Sequence, residues 1–262
     1  MVSTLSIVFM VLNMLLGILV PVGLLLFFRK KYQVTVKSFF IGCAVMLVFA
    51  LILEQIVHFV VLGSKAGTMI QNNMWLYALY GSLMAGIFEE TGRFLAMRFL
   101  LKIEHGDPHN ALMYGAGHGG FEAMVLLTIG MINNLIYSIL INLGQTQVLL
   151  APLDEAARGT LQAAFDTLIA TPAWYFLLSP MERIGAIAAQ ISLSVIVWFA
   201  ASGKKCRIPL FLLAIILHAV LDAVAVIASN IGIPVLVIEL LIWGMAVIYI
   251  FLAKHVWKKY FR

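Results

Sequence analysis

An all-α, polytopic transmembrane helix bundle is the fold class that this sequence predicts, and three observations predict it. Hydrophobic residues make up 63% of the 262 positions and charged residues only 11%, against roughly 25% charged in a soluble domain. Mean hydropathy is +1.04. The apolar residues also gather into seven long runs, and one crossing of a bilayer takes about 20 of them. A chain of this length then makes a single transmembrane domain, residues 1–262, rather than several domains. The net charge of +5 sits mainly at the ends of the runs. It reads as an orientation signal and not as affinity for nucleic acid. Cys43 and Cys206 fall in a span and in a basic loop, so they give no disulfide framework.

The seven runs are 5–28, 37–62, 74–101, 111–143, 181–202, 208–229 and 233–253. The first has no basic residue before it and meets Arg29 only after it. It reads as a permanent span rather than a secretory signal. The fourth is long enough to be one tilted helix or a span broken near Gly130. Basic residues follow the first, third, fifth and seventh runs: Arg29, Lys30, Lys31 and Lys37; Arg98 and Lys102; Lys204, Lys205 and Arg207; Lys254, Lys258, Lys259 and Arg262. The alternate loops hold only Lys65, Arg158 and Arg183. The positive-inside rule then puts the N-terminus outside and the C-terminus inside. Residues 144–180 form the one long connection. Pro152 and Asp154 start a helix there and Pro172 ends it, giving an amphipathic segment over 153–171 that belongs at the outer interface.

The ionisable residues inside these apolar runs fall in pairs. Glu54 and His58, Glu89 and Arg93, His118 and Glu122, and His218 and Asp222 are each four residues apart, so each pair shares one helix face. A charge at the centre of a bilayer costs roughly 2.5–3.5 kcal/mol on insertion scales. Turning all four faces to one interior site removes that cost from the lipid face. Counting residues inwards at about 1.5 Å each brings Glu89, Glu90, His118, His218, Glu122 and Asp222 to one depth. Glu54 and His58 lie nearer the outer face, with Tyr114 a further candidate for the cleft wall. Gly115, Gly117, Gly119 and Gly120 surround His118, and residues this small admit a close helix or a ligand.

The chemistry that suits this set is hydrolytic. Two adjacent carboxylates at low dielectric do not both ionise readily, and Arg93 is within reach of one of them. That makes a general acid–base pair, with a histidine opposite to donate to an oxyanion. A His₂–carboxylate zinc site from His118, His218 and Glu122 or Glu89 is equally compatible. The H-E-x-x-H signature of soluble zinc proteases is absent. The competing class is a membrane scaffold or a small-ligand or ion transporter. A transporter favours broken helices and inverted repeats, and the sequence has no internal repeat.

Glu89-Glu90-x-x-Arg93, Tyr114-x-x-x-His118 and His218-x-x-x-Asp222 resemble the ordered motifs EExxxR, FxxxH and HxxxN/D of the CAAX-protease and bacteriocin-processing superfamily of intramembrane proteases. Residues 115–122 look most like its YhfC-like branch, alongside PrsW. The resemblance implies that Glu89 or Glu90 activates water and that His118 and His218 stabilise the oxyanion or bind metal. It also implies an intramembrane endopeptidase of glutamate or metallo type, acting on a membrane-associated peptide or protein in a bacterial cytoplasmic membrane. The arginine stands one residue early, Tyr114 replaces phenylalanine, and an acid follows His118 by one turn. Asp222 stands where the prenyl-protein proteases carry asparagine, which argues against prenylated substrates. The same superfamily includes a non-catalytic subunit of γ-secretase, so the fold does not by itself carry the activity.

Overall fold

The computed structural model describes residues 1–203 and 206–261. Lys204, Lys205 and Arg262, three of the basic residues that set the orientation above, lie outside the described residues. The described residues are helical, without a strand. The long helices are α1 (Thr4–Tyr32), α2 (Val36–Leu62), α5 (His109–Asn142), α7 (Ala173–Ala201), α8 (Ile208–Asn230) and α9 (Val235–Tyr260). These six are long and apolar enough to cross a membrane. Between α2 and α5 lie a short helix, α3 (Lys65–Gln71), and α4 (Met74–Leu95), which runs on through a π-helical turn, Ala96–Leu100. Helix α4 is as long as a span, but Glu89, Glu90 and Arg93 lower its apolarity below that of the six. Helix α6 (Glu155–Ala170) is the amphipathic segment, with Asp154 accepting from the Ala157 N–H at 2.8 Å as its N-cap.

The long run 109–142 is one helix, and its hydrogen bonding shifts to π type at Val125–Ile129, just before Gly130. Helix α2 has a longer π stretch, Met46–Glu54, that ends on Glu54. Such wide turns are rare and concentrate at functional sites.

The chain forms two compact units. The smaller comprises residues 1–20 and 123–183. Its core is Val2, Met10, Met131, Leu168 and Phe176, and Asn13 donates to the Phe176 carbonyl at 2.6 Å. Asn142 closes it, accepting from the Val2 N–H at 2.8 Å and donating to the Val2 carbonyl at 3.0 Å.

The larger unit comprises residues 21–122 and 184–262, apart from the undescribed positions. Its centre is α7, where Leu193 and Val195–Ala201 are buried. That stretch is apolar on every side, so it has no face to give to a polar medium. The basic helix ends in this unit come together. Lys37 pairs with Glu104 at 2.9 Å, Arg98 donates to the Ala201 carbonyl at 2.9 Å, and Arg207 lies 4.6 Å from the centre of the Tyr260 ring.

Small residues set how closely these helices approach. The face of α4 that packs inwards carries Ala78, Ser82 and Gly86 before it reaches Glu89 and Glu90. A Cβ on Gly86 would lie 2.8 Å from the Ile215 carbonyl of α8. A Cβ on Gly115 would stand 2.6 Å from Ile191 Cα of α7, and one on Gly119 2.8 Å from Gln190 Cβ. Gly117 faces the Phe39 backbone of α2 in the same way. The space around His118 is therefore filled by neighbouring helices. Without an oil–water contrast to drive helices together in a bilayer, contact at this range supplies the association. Overpacking such a contact costs about 1–3 kcal/mol. Gly86→Val is expected to lower unfolding stability in detergent by that amount. Gly81→Ala, on the same helix where a Cβ meets nothing within 4 Å, is expected to leave it unchanged or slightly raised.

Candidate active site

Four helices of the larger unit bring their polar residues to one place. From α4, Glu89 and Glu90 are 7% and 0% exposed, and Arg93 is fully buried. From α5 comes His118, from α8 His218 and Asp222, and from α7 Gln190. Although adjacent, the two glutamates share only His218, each facing a different ring nitrogen. Glu89 Oε2 accepts from His118 Nε2 at 2.8 Å and from Gln190 Nε2 at 3.2 Å, and it lies 3.8 Å from His218 Nε2. Glu90 Oε1 accepts from His218 Nδ1 at 2.7 Å and pairs with Arg93 Nη1 at 3.1 Å. The i,i+3 spacing of Glu90 and Arg93 within one helix makes that pair possible.

The result is a hierarchy. Arg93 is held by Gln190 Oε1 at 2.5 Å, Arg93 holds Glu90, and Glu90 fixes the His218 ring. With Nδ1 donating to Glu90, the neutral ring carries its lone pair on Nε2. That atom faces Glu89 Oε2 at 3.8 Å and Asp222 Oδ2 at 3.6 Å. A carboxylate that orients an imidazole through its far nitrogen is the usual support of a metal-binding histidine. His118 has no such support, and its Nδ1 is buried without a hydrogen-bond partner.

The other expected site residues divide by position. Glu122 meets Gln190 Nε2 at 3.1 Å, so it joins the cluster through the amide of α7. Glu54 accepts from His58 Nε2 at 3.1 Å, and the Tyr80 hydroxyl meets His58 Nδ1 at 2.9 Å. A cavity of about 290 Å³ is lined by His58, Tyr80, Ser82 and Asp222, among others. His58 and Asp222 share its wall, and Glu54 is not among its lining residues. Tyr114 is fully buried in the apolar core and stacks on His118 with ring centres 6.1 Å apart. It does not line that cavity.

Two members, Gln190 and Tyr80, are absent from the four-residue pairs. Gln190 is uncharged, yet it bridges Arg93, Glu89 and Glu122. Its only sequence signal is a primary amide in the otherwise apolar or small-residue stretch 184–201. Tyr80 gave no signal beyond its hydroxyl.

Imidazole and carboxylate are the donor types that a zinc-type ion takes. Tetrahedral ligands at about 2.0–2.1 Å from zinc stand roughly 3.3 Å from one another. The separations of 2.8, 3.8 and 3.6 Å among His118, Glu89, His218 and Asp222 lie around that value. Among the described residues, no three His, Cys, Asp or Glu side chains stand as a group that could hold a metal ion, and the imidazoles and carboxylates hydrogen-bond one another. Metal binding at such a site displaces the protons of those hydrogen bonds. Of the two acids weighed for this role with His118 and His218, Glu89 is the one whose oxygen faces both rings, whereas Glu122 faces Gln190.

The sequence model of one family, described as YhfC intramembrane metalloprotease, matches residues 16–242. The chain belongs to the YhfC family. A Bacillus subtilis (strain 168) relative, described as an uncharacterized membrane protein YhfC, is 40% identical over 98% of this chain and the whole of its own length. No solved structure matches the chain. The YhfC match spans every motif residue above, from Glu54 to Asp222. Membership agrees with the six apolar helices in making this a multi-pass membrane protein.

Replacing Gln190 by leucine removes the acceptor of a fully buried guanidinium. An unsatisfied buried group of this kind costs about 1–3 kcal/mol, and more when charged. Gln190→Leu is expected to lower the unfolding free energy in detergent by at least that much, whatever the state of any bound ion.

Proposed function

We propose that this protein is an intramembrane endopeptidase that hydrolyses membrane-associated peptides or proteins, with Glu89 at the centre of its site. The observation that carries the reading is the convergence on Glu89 Oε2 of two imidazoles from two other helices, backed by Glu90, Arg93 and Gln190. The family description supports a protease of metallo type.

In this reading α4 is a seventh span. Its 22 residues to Leu95 reach about 33 Å at 1.5 Å each, enough for a hydrocarbon core of about 30 Å. The gathered basic ends of the larger unit support an inward-facing C-terminus and an outward N-terminus. The bilayer is a bacterial cytoplasmic membrane. The motif order supports kinship with the CAAX-protease and bacteriocin-processing superfamily and with PrsW.

The water's oxygen adds to the scissile carbonyl carbon while its proton passes to Glu89. That proton then goes to the leaving amine nitrogen as the C–N bond breaks. Glu90 keeps His218 in one tautomer, and Arg93 keeps Glu90 in place. Asp222, at the cavity wall, lets substrate or water approach from the side of His58 and Tyr80. His118 and His218, with Glu89 or Asp222 as the acid, are the donors that would hold a zinc-type ion. When bound, such an ion would polarise the carbonyl and make water a stronger nucleophile at neutral pH.

The test is cleavage of candidate single-span peptides in liposomes, together with zinc content. Glu89→Gln is expected to abolish cleavage. Glu90→Gln is expected to weaken metal binding about 10–100-fold, the usual effect of losing an orienting carboxylate. His118→Ala is expected to remove bound zinc. Folded Glu89→Gln and Glu90→Gln proteins that both cleave like the unaltered chain would overturn the assignment. A protein with neither zinc nor cleavage would favour the scaffold reading.

A further inference from the structure

A second cavity, of about 610 Å³, lies in the larger unit among the end of α1, the start of α5, the middle of α7 and the last turns of α9. It contains none of the candidate active-site residues. Its walls are apolar, with Ile191 and Val195 from α7 and Ile250 from α9, and Trp257 stands among the last turns of α9. Lys254 and Lys258 complete the lining, each four residues beyond the last along one strip of α9 from Ile250. Both are exposed. No Asp or Glu among the described residues lines the cavity. A third cation, Lys31, lies 5.3 Å from the centre of the lining Tyr32 ring.

We propose that this groove holds one anionic phospholipid of the surrounding bilayer, its acyl chain along Ile191, Val195 and Ile250 and its phosphate between Lys254 and Lys258. Three features carry this. The volume falls in the roughly 300–1,000 Å³ range of sites that take one small molecule. An apolar slot that ends in cations and an indole matches the order of groups in a lipid, from tail to interface to charge. Lysine stems lie along apolar surface while their ammonium groups reach the interface. Paired cations at one end of an apolar slot give the groove the charge complementarity that an anionic headgroup needs.

A lysine near an anionic surface is worth about five-fold in binding, so the pair accounts for about 25-fold. The test is native mass spectrometry of the full chain released from nanodiscs made of equal phosphatidylglycerol and phosphatidylcholine. One phosphatidylglycerol per protein is expected to survive, at least ten-fold in excess over phosphatidylcholine. Lys254→Gln with Lys258→Gln is expected to abolish the preference, and Ile191→Trp to remove the bound lipid by filling the slot. Lys259→Gln, on the same helix but outside the groove, is expected to leave both unchanged. Equal retention of the two lipids, or a preference kept by the double variant or lost in Lys259→Gln, overturns the proposal. So does displacement of the bound species by millimolar inorganic phosphate, which would make it a site for free anions.

Discussion

The contact on which the rest of the larger unit depends is the one between Glu90 of α4 and His218 of α8, at 2.7 Å. Both groups are almost wholly buried. Separated, each would be a polar or charged group left in an apolar interior, at a cost of several kcal/mol. Together with Arg93 and Gln190 they pair with one another, and α4 and α8 come within backbone range at Gly86. The small residues and the polar cluster thus solve one problem. The glycines admit the approach, and the cross-helix hydrogen bonds make the approach favourable.

The cluster has an inner and an outer part. Glu90, Arg93 and Gln190 face one another and hold position. Glu89, His218 Nε2 and Asp222 face a common centre, and Asp222 also reaches the 290 Å³ cavity. Adjacent carboxylates in the sequence therefore have separate tasks. Successive residues on a helix point about 100° apart, so Glu89 and Glu90 face different ring nitrogens of His218.

Much of this was legible in the sequence. The seven runs correspond to helices 4–32, 36–62, 74–100, 109–142, 173–201, 208–230 and 235–260, because hydropathy at this length leaves few alternatives to a helix. The four-residue spacing of the polar pairs placed them on single faces, and lipid exclusion turned those faces inwards. Three things were beyond reach. The π turns in α2, α4 and α5 leave no compositional mark. Gln190 carries no charge to draw the eye, although its amide is the one group that can donate to two carboxylates while accepting from an arginine. The two-unit organisation divides α1 after Val20, α5 before Ala123 and α7 after Arg183, and of these runs only the fourth carried a possible break, placed near Gly130.

A double-mutant cycle measures the founding contact directly. Glu90→Gln, His218→Ala and the pair, each unfolded in detergent, give a coupling free energy. Groups in one buried network couple by about 0.5–3 kcal/mol, whereas independent sites add to within about 0.3–0.5 kcal/mol. The account predicts a coupling above about 1 kcal/mol, with the second substitution costing far less once the first is in place. Simple additivity of the two losses would mean that α4 and α8 do not hold each other through this pair, and would contradict the account.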